Sequence, residues 1–374
     1  MSLQRPLGMT KAPELVLLGG SSGVAPLAIC NPVAWNGLAS DPYRTWAFRR
    51  ADQVAFTASP FLSPAGERLV MAHIKTLPTR MQGIERLERI AERLLTELAT
   101  PLVALDRGTR IAFFPCLPER MGDEHGEREA RGERARLVAM LAALASVHGA
   151  IVEVTPVCRG HASLAFALVQ ATMALASHGV EVAIVGGLDT AYDPIVIEEL
   201  IDARRIFDGE NLNTACPGEG GAFFLLTAPS TARRLGWRNV ALLEGVGTGN
   251  EPGHSMNDVG CMGTGLTAAA RPLADRLARD RRRLDWWIHD VTNEHYRVHE
   301  LQMAWPRSCS DVMGPEGVLD GLHAHLGDLG AAAMPTAVAI ATEGFRRRGP
   351  VSATCVVTGS SLWADRGAVL LSRP

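Results

Sequence analysis

Three sets of side chains in this sequence have types and spacings that could do chemistry. One is the run Leu18-Gly19-Gly20-Ser21-Ser22-Gly23-Val24-Ala25. Glycines so spaced let backbone N–H groups approach a pyrophosphate at a helix N-terminus. Here Ala25 replaces the last glycine and Pro26 stands where the helix should begin. Hydride transfer beside such a loop would also need a Tyr-x-x-x-Lys pair. None of Tyr43, Tyr192 or Tyr296 has a lysine four residues on. The run therefore reads as a strand-ending turn, and no cofactor is expected. The second set is His289, His295 and His299, the latter two at the i, i+4 spacing of a helical zinc pair. No glutamate stands between them in the H-E-x-x-H manner and no nearby cysteine completes a set, so no metal is expected. The third is Cys158 and His161, at the junction between a β-branched run and an apolar, small-residue stretch.

The whole chain limits what these groups can do. Its 374 residues are 47% apolar and 21% charged with net charge −3, an ordinary globular balance that points to neither nucleic acid nor an anionic membrane. Lys11 and Lys75 are the only lysines, so a lysine mechanism later in the chain is excluded. Seven scattered cysteines (30, 116, 158, 216, 261, 309 and 355) contain no C-x-x-C pair and read as reduced thiols of a cytoplasmic protein. No apolar run reaches the length of a membrane span, and Met1 to Pro13 holds no signal-peptide core.

Elements that would position the candidates follow from periodicity. Leu15 to Leu18 reads as a buried strand, and Pro26 to Lys75 as irregular. Residues 81 to 98 carry Ile84, Leu87, Ile90, Leu94 and Leu98 at spacings of three and four, which predicts an amphipathic helix. Strand 110–114 and a helix ending near Val147 follow. Ile151 to Val157, the small-residue helix from about Ala162 to Ser177, and Val182 to Val185 with Gly186-Gly187 form a βαβ unit. The second part repeats this grammar: strand 240–245, helix 266–281, strand 285–289, a small-residue helix 330–346, and closing strands 353–357 and 367–371. The expectation is a duplicated α/β chain, halves 12–228 and 239–374, in one compact unit. Trp286-Trp287 is expected to pack the core.

His161-Ala162-Ser163 heading a buried helix, then Gly186-Gly187, then Pro217-Gly218-Glu219-Gly220-Gly221 before Phe223 to Leu226, resembles the β-ketoacyl-[acyl carrier protein] synthases. The resemblance spans roughly residues 12 to 374 and is best from 150 to 226. It implies a thiolase-like, pseudo-duplicated five-layer α/β/α/β/α fold and an acyltransferase ancestry in fatty acid or polyketide biosynthesis. It also implies an acyl carrier protein or acyl-CoA thioester as ligand. The implied assembly is a homodimer, or a heterodimer with an active synthase, through a strand near 151–157.

In that family a cysteine heading the first helix takes the acyl chain, and two histidines donate to the enolate formed on decarboxylation. By the resemblance, His161 stands at the nucleophile position, His289 at the first histidine and Asp328 at the second. Gly359 and Ser360 stand where a loop supplies an oxyanion-hole N–H, and Glu219 at a structural carboxylate satisfied by backbone N–H groups. Imidazole lacks the thiol's nucleophilicity and its acyl adduct is labile. A carboxylate at position 328 would repel the enolate by about 4 kcal/mol at ~4 Å and an effective dielectric of ~20, roughly three orders of magnitude in rate. The implied protein is a divergent synthase-like subunit without condensing activity that binds acyl groups or a partner. Two alternatives stay open: a cysteine-dependent acyltransferase or thioesterase using Cys158, His289 and Asp328, and a non-catalytic scaffold.

Overall fold

The computed structural model describes residues 13–19, 25–124, 128–177, 179–208, 211–347 and 353–374. The centre of the glycine run, Gly20 to Val24, and residues 1–12 lie outside the described residues.

Strand order shows the duplication directly. In the first half, β2 (Leu27–Asn36), β5 (Arg110–Cys116), β6 (Ile151–Val154), β7 (Val182–Thr190) and β8 (Glu219–Thr227) lie in the order β6-β5-β7-β8-β2. In the second, β9 (Asn239–Asn250), β10 (Leu284–His289), β11 (Met313–Gly321), β12 (Thr354–Ser360) and β13 (Asp365–Ser372) lie in the order β11-β10-β12-β13-β9. Counted within its own half, each reads third, second, fourth, fifth, first. In both, the fifth strand is antiparallel to its neighbours and the others pair in parallel. An antiparallel β2–β9 pair joins the halves. β1 (Leu15–Leu17) adds to β9, and β3 (Thr57–Leu62) with β4 (Arg68–Met71) forms a separate hairpin.

Alternation along the strands makes the layers. On β5, Ala112, Phe114 and Cys116 point to the central cluster, whereas Ile111 and Phe113 point to an outer one. The central layer is α4 (Ser163–Ala176) and α10 (Ala333–Arg347). α10 is buried from Ala333 to Phe345, as its Ala-rich composition on every face predicts. α4 emerges toward its end, where Met173 is 67% exposed. Outside, α2 (Gly83–Leu102) and α3 (Arg128–Ala145) cover the first half, and α7 (Thr264–Arg279) and α8 (His295–Ala304) the second. This is the expected five-layer α/β/α/β/α arrangement. Short helices α1 (Pro42–Arg50), α5 (Pro194–Asp202), α6 (Pro229–Arg234) and α9 (His323–Leu326) complete the chain. Among the described residues no helix is long and apolar enough to cross a membrane.

Two expectations need correction. The stretch read as irregular contains the central strand β2. Asn31 has φ +49, and the pairing register with β8 shifts between Cys30 and Val33, so Pro32 sits in a bulge and splits the apolar run in two. β1 is not a buried strand: Leu15 is 49% exposed, and β9 alone pairs with it.

Candidate active site

Each central helix is entered through one 3-10 turn, Gly160–Ala162 before α4 and Gly330–Ala332 before α10. Both turns open on a glycine at φ +51, a left-handed conformation that side chains disfavour. Space forbids a side chain as well. A Cβ at 160 would lie 2.7 Å from Glu119 Oε2, and one at 330 would lie 2.0 Å from Asp189 Oδ2. Asp328 lies two residues before the second turn and directly follows Gly327, at φ +68. The two turns pack together and bring His161 onto Asp328.

His161 is 5% exposed, and its Nε2 lies 2.5 Å from Asp328 Oδ1. Its Nδ1 lies 3.3 Å from Arg297 Nη2, a hydrogen bond the guanidinium donates while Nδ1 is unprotonated. Arg297, on α8 and 1% exposed, also donates to Asp290 (3.1 Å), Glu294 (3.2 Å) and the Ser360 carbonyl (2.9 Å). Glu294 in turn accepts from Arg205 at 2.6 and 3.1 Å and from the Thr292 hydroxyl. The result is a continuous buried chain of hydrogen bonds, Asp328–His161–Arg297–Glu294–Arg205, with the imidazole held between a carboxylate and a guanidinium. Burial alone would lower the His161 pKa. The Asp328 charge and hydrogen bond outweigh it and hold the imidazole above its usual value, against opposition from Arg297. For Asp328, burial acts upward, but His161, Arg297 and the Gly330 N–H (3.1 Å) hold the carboxyl well below the usual carboxylate range.

The other candidates sit apart from this pair. His289 ends β10 and accepts at Nδ1 from the Val291 N–H at 3.3 Å, and burial lowers its pKa. A cavity of about 430 Å³ is lined by His161, Asp189 and Asp328 but not by His289 or Cys158. Cys158 packs against the outer apolar cluster under α2 and α3, and burial pushes its thiol up to about 11. The proposed Cys158, His289 and Asp328 triad is therefore not assembled: Asp328 serves His161, and an outer-layer thiol of raised pKa is a poor nucleophile.

At the loop expected to hold an oxyanion, Gly359 packs so closely on the His161 carbonyl that a Cβ would lie 2.3 Å from it. The Ser360 N–H is already taken, donating to Asp290 Oδ2 at 3.0 Å. The donor expected to meet an oxyanion is thus committed to Asp290.

Glu219 opens β8 rather than forming a turn. It accepts from the Ile74 N–H (2.6 Å) as expected, and also from Arg86 (2.5 and 2.7 Å) and Thr190 (2.8 Å). That buried ion pair ties α2 to the sheet. His295 and His299 are exposed, and the His299 ring lies 3.1 Å from the Cys261 carbonyl. The one group of three possible metal-ligating side chains among the described residues is Glu251, Cys261 and Glu300. Glu251 already accepts from Met262 and Gly265 at the start of α7, and Glu300 from Arg366. Sequence reading missed Arg297, Asp290 and Asp189. An arginine in a polar helix gives no periodic signal of burial, whereas Asp189, two residues past Gly186-Gly187 at a strand end, could have been flagged.

No protein family and no curated protein sequence matches the chain. Solved structures do. A type II polyketide ketosynthase in complex with its acyl carrier protein and bound to the hexaketide matches with TM-score 0.73 at 12% identity, covering 93% of this chain and 99% of that one. The oxazolomycin ketosynthase domain of Streptomyces albus JA3453 gives TM-score 0.68 at 16% identity, covering 93% and 74%. The ishigamide ketosynthase/chain length factor gives 0.67 at 13% identity, covering 93% and 99%. The chain has the thiolase-like fold of the ketosynthases.

Proposed function

We propose that this protein is a ketosynthase-like subunit without condensing activity that binds an acyl group in the cavity beside His161. One observation carries the reading: both ring nitrogens of His161 are engaged, Nε2 by Asp328 and Nδ1 by Arg297, so the residue at the nucleophile position has no free lone pair for attack. The Ser360 N–H committed to Asp290 supports it, because an acyl-transfer transition state would find that donor occupied. The 430 Å³ cavity favours ligand binding over a purely structural role, since its size is that of a small-molecule site. Assembly with a second copy, or with an active synthase, fits the edge strand β6, whose outer side no strand pairs among the described residues. Two of the similar structures supply the precedent, a ketosynthase with its carrier protein and a ketosynthase/chain length factor.

The test is incubation with malonyl and acyl thioesters of an acyl carrier protein, followed by mass spectrometry. The expected result is no acyl adduct on His161 and no β-ketoacyl product. Product formation above that of a His289→Ala control would overturn the reading.

A further inference from the structure

Charge around the cavity is lopsided in a way that the fold does not require. Four carboxylates line it (Glu119, Asp189, Glu199 and Asp328), against two guanidiniums (Arg120 and Arg205) and His161. Each cation is satisfied by a protein carboxylate. Arg120 pairs with Glu133 and Asp193, Arg205 with Glu294, and His161 with Asp328. Of these acceptors, only Asp328 lines the cavity. Asp189 and Glu119 are in the opposite position. Asp189 accepts from the backbone N–H of Ala331 (2.8 Å) and of Thr190 (2.8 Å), and Glu119 from the Ser361 hydroxyl and the Leu362 N–H. Among the described residues neither has an ion-pair partner.

Resting on the acyl-binding reading, we propose that the cavity selects a ligand with an apolar body and a basic nitrogen, whose ammonium pairs with Asp189, and rejects one ending in a carboxylate. Val196, Leu200, Ala203, Ala215, Met256 and Leu362 supply apolar wall, while Asp189 lies where the two turns meet. Among the described residues Asp189 belongs to no set of three clustered donor side chains, so an organic cation suits it better than a metal ion. Burial pushes the Asp189 carboxyl up to about 6, opposed by the Ala331 N–H and by Arg120 and aided by the charge of Asp328, with His161 acting downward. An arriving ammonium would relieve that unpaired charge. A ligand carboxylate would meet Asp189 and Glu119 while every lining cation is already paired.

The experiment measures calorimetric affinities of three stable amide analogues of pantetheine thioesters, carrying hexanoyl, 6-aminohexanoyl or 5-carboxypentanoyl groups. At about pH 7.5 the amine should bind about tenfold or more tighter than the neutral analogue and the carboxylate more weakly than either. Asp189→Asn should erase the amine's advantage, so that the variant binds the amine and the hexanoyl analogue with equal affinity. The advantage should also fade below about pH 6, as Asp189 takes up its proton. If the hexanoyl analogue binds and the amine binds no tighter, the charge selection is wrong and acyl binding survives. If none of the three binds, the acyl-binding reading falls and this inference with it.

Discussion

The turn Gly160–Ala162 and the turn Gly330–Ala332 hold equivalent places in the two halves, each with a glycine at φ +51 and each heading a buried helix. The first carries His161, whose side chain enters a chain of buried charges. The second carries Ala331, which contributes only its backbone N–H, to Asp189. Duplicated topology thus repeats the backbone device, while one side chain decides what that device does electrostatically. The first turn holds an imidazole in place, and the second only presents a backbone N–H.

If the first turn depends on its charge network and the second only on backbone, substitutions should separate them, most strongly at Arg297. Arg297→Leu removes the only group among the described residues that contacts His161, Asp290 and Glu294 together; Glu294 keeps Arg205, but buried Asp290 is left without a cation. Loss of one partner from a buried pair costs about 3–5 kcal/mol. Urea unfolding should show a loss of that size with an unchanged slope. A loss below ~1 kcal/mol would mean that the network does not hold the first turn.

The glycines come next. Alanine in a left-handed conformation costs about 1–2 kcal/mol at either turn. Space then separates them. At 330 the new Cβ falls 2.0 Å from the tip of the short Asp189 side chain, and at 160 it falls 2.7 Å from that of Glu119, which has one more rotatable bond to withdraw it. Gly330→Ala should therefore destabilise more than Gly160→Ala in parallel urea titrations. Equal losses would show that conformation alone sets the cost and that the carboxylates yield freely.

The duplication was legible in the sequence because strand-helix-strand grammar recurs with small-residue helices that can only be central. The position of β2 was not, since Asn31-Pro32 interrupts the strand and only the opposing β8 shows that the pairing resumes. At the site, the meeting of His161 with Asp328 followed from placing both on a family pattern. Arg297 did not, because its burial comes from contacts outside its own helix, with His161, Asp290 and the Ser360 carbonyl, and leaves no mark on local polarity. His289, expected by the resemblance to be the first histidine, lies outside the cavity. A matching position does not fix where a side chain points when its neighbours, here Asp290 and Arg297, have formed a different network.

The smallest effect expected is also the one whose sign is most diagnostic. Asp189 and Asp328 flank the second turn and carry pKa shifts of opposite direction. Asp189, raised from 3.8 to about 6, binds its proton more tightly folded than unfolded. Stability therefore falls as pH rises from about 4 to about 6 and stays reduced above that. A shift of that size corresponds to on the order of 3 kcal/mol. Asp189→Asn removes the charge but also weakens the bond accepted from Ala331, because an amide oxygen is a poorer acceptor than a carboxylate. The net gain should be roughly 1 kcal/mol at pH 7.5 and should vanish near pH 4. Asp328, held low, contributes stability that is present above its unfolded pKa and lost as pH falls through its folded one, so Asp328→Asn should destabilise at pH 7.5. Thermal unfolding of the two variants across pH 4 to 8 reads both signs. Should Asp189→Asn lower the melting temperature at pH 7.5, its carboxylate is bonded well enough to repay its burial, and the contrast between a charged first turn and a backbone-held second one fails.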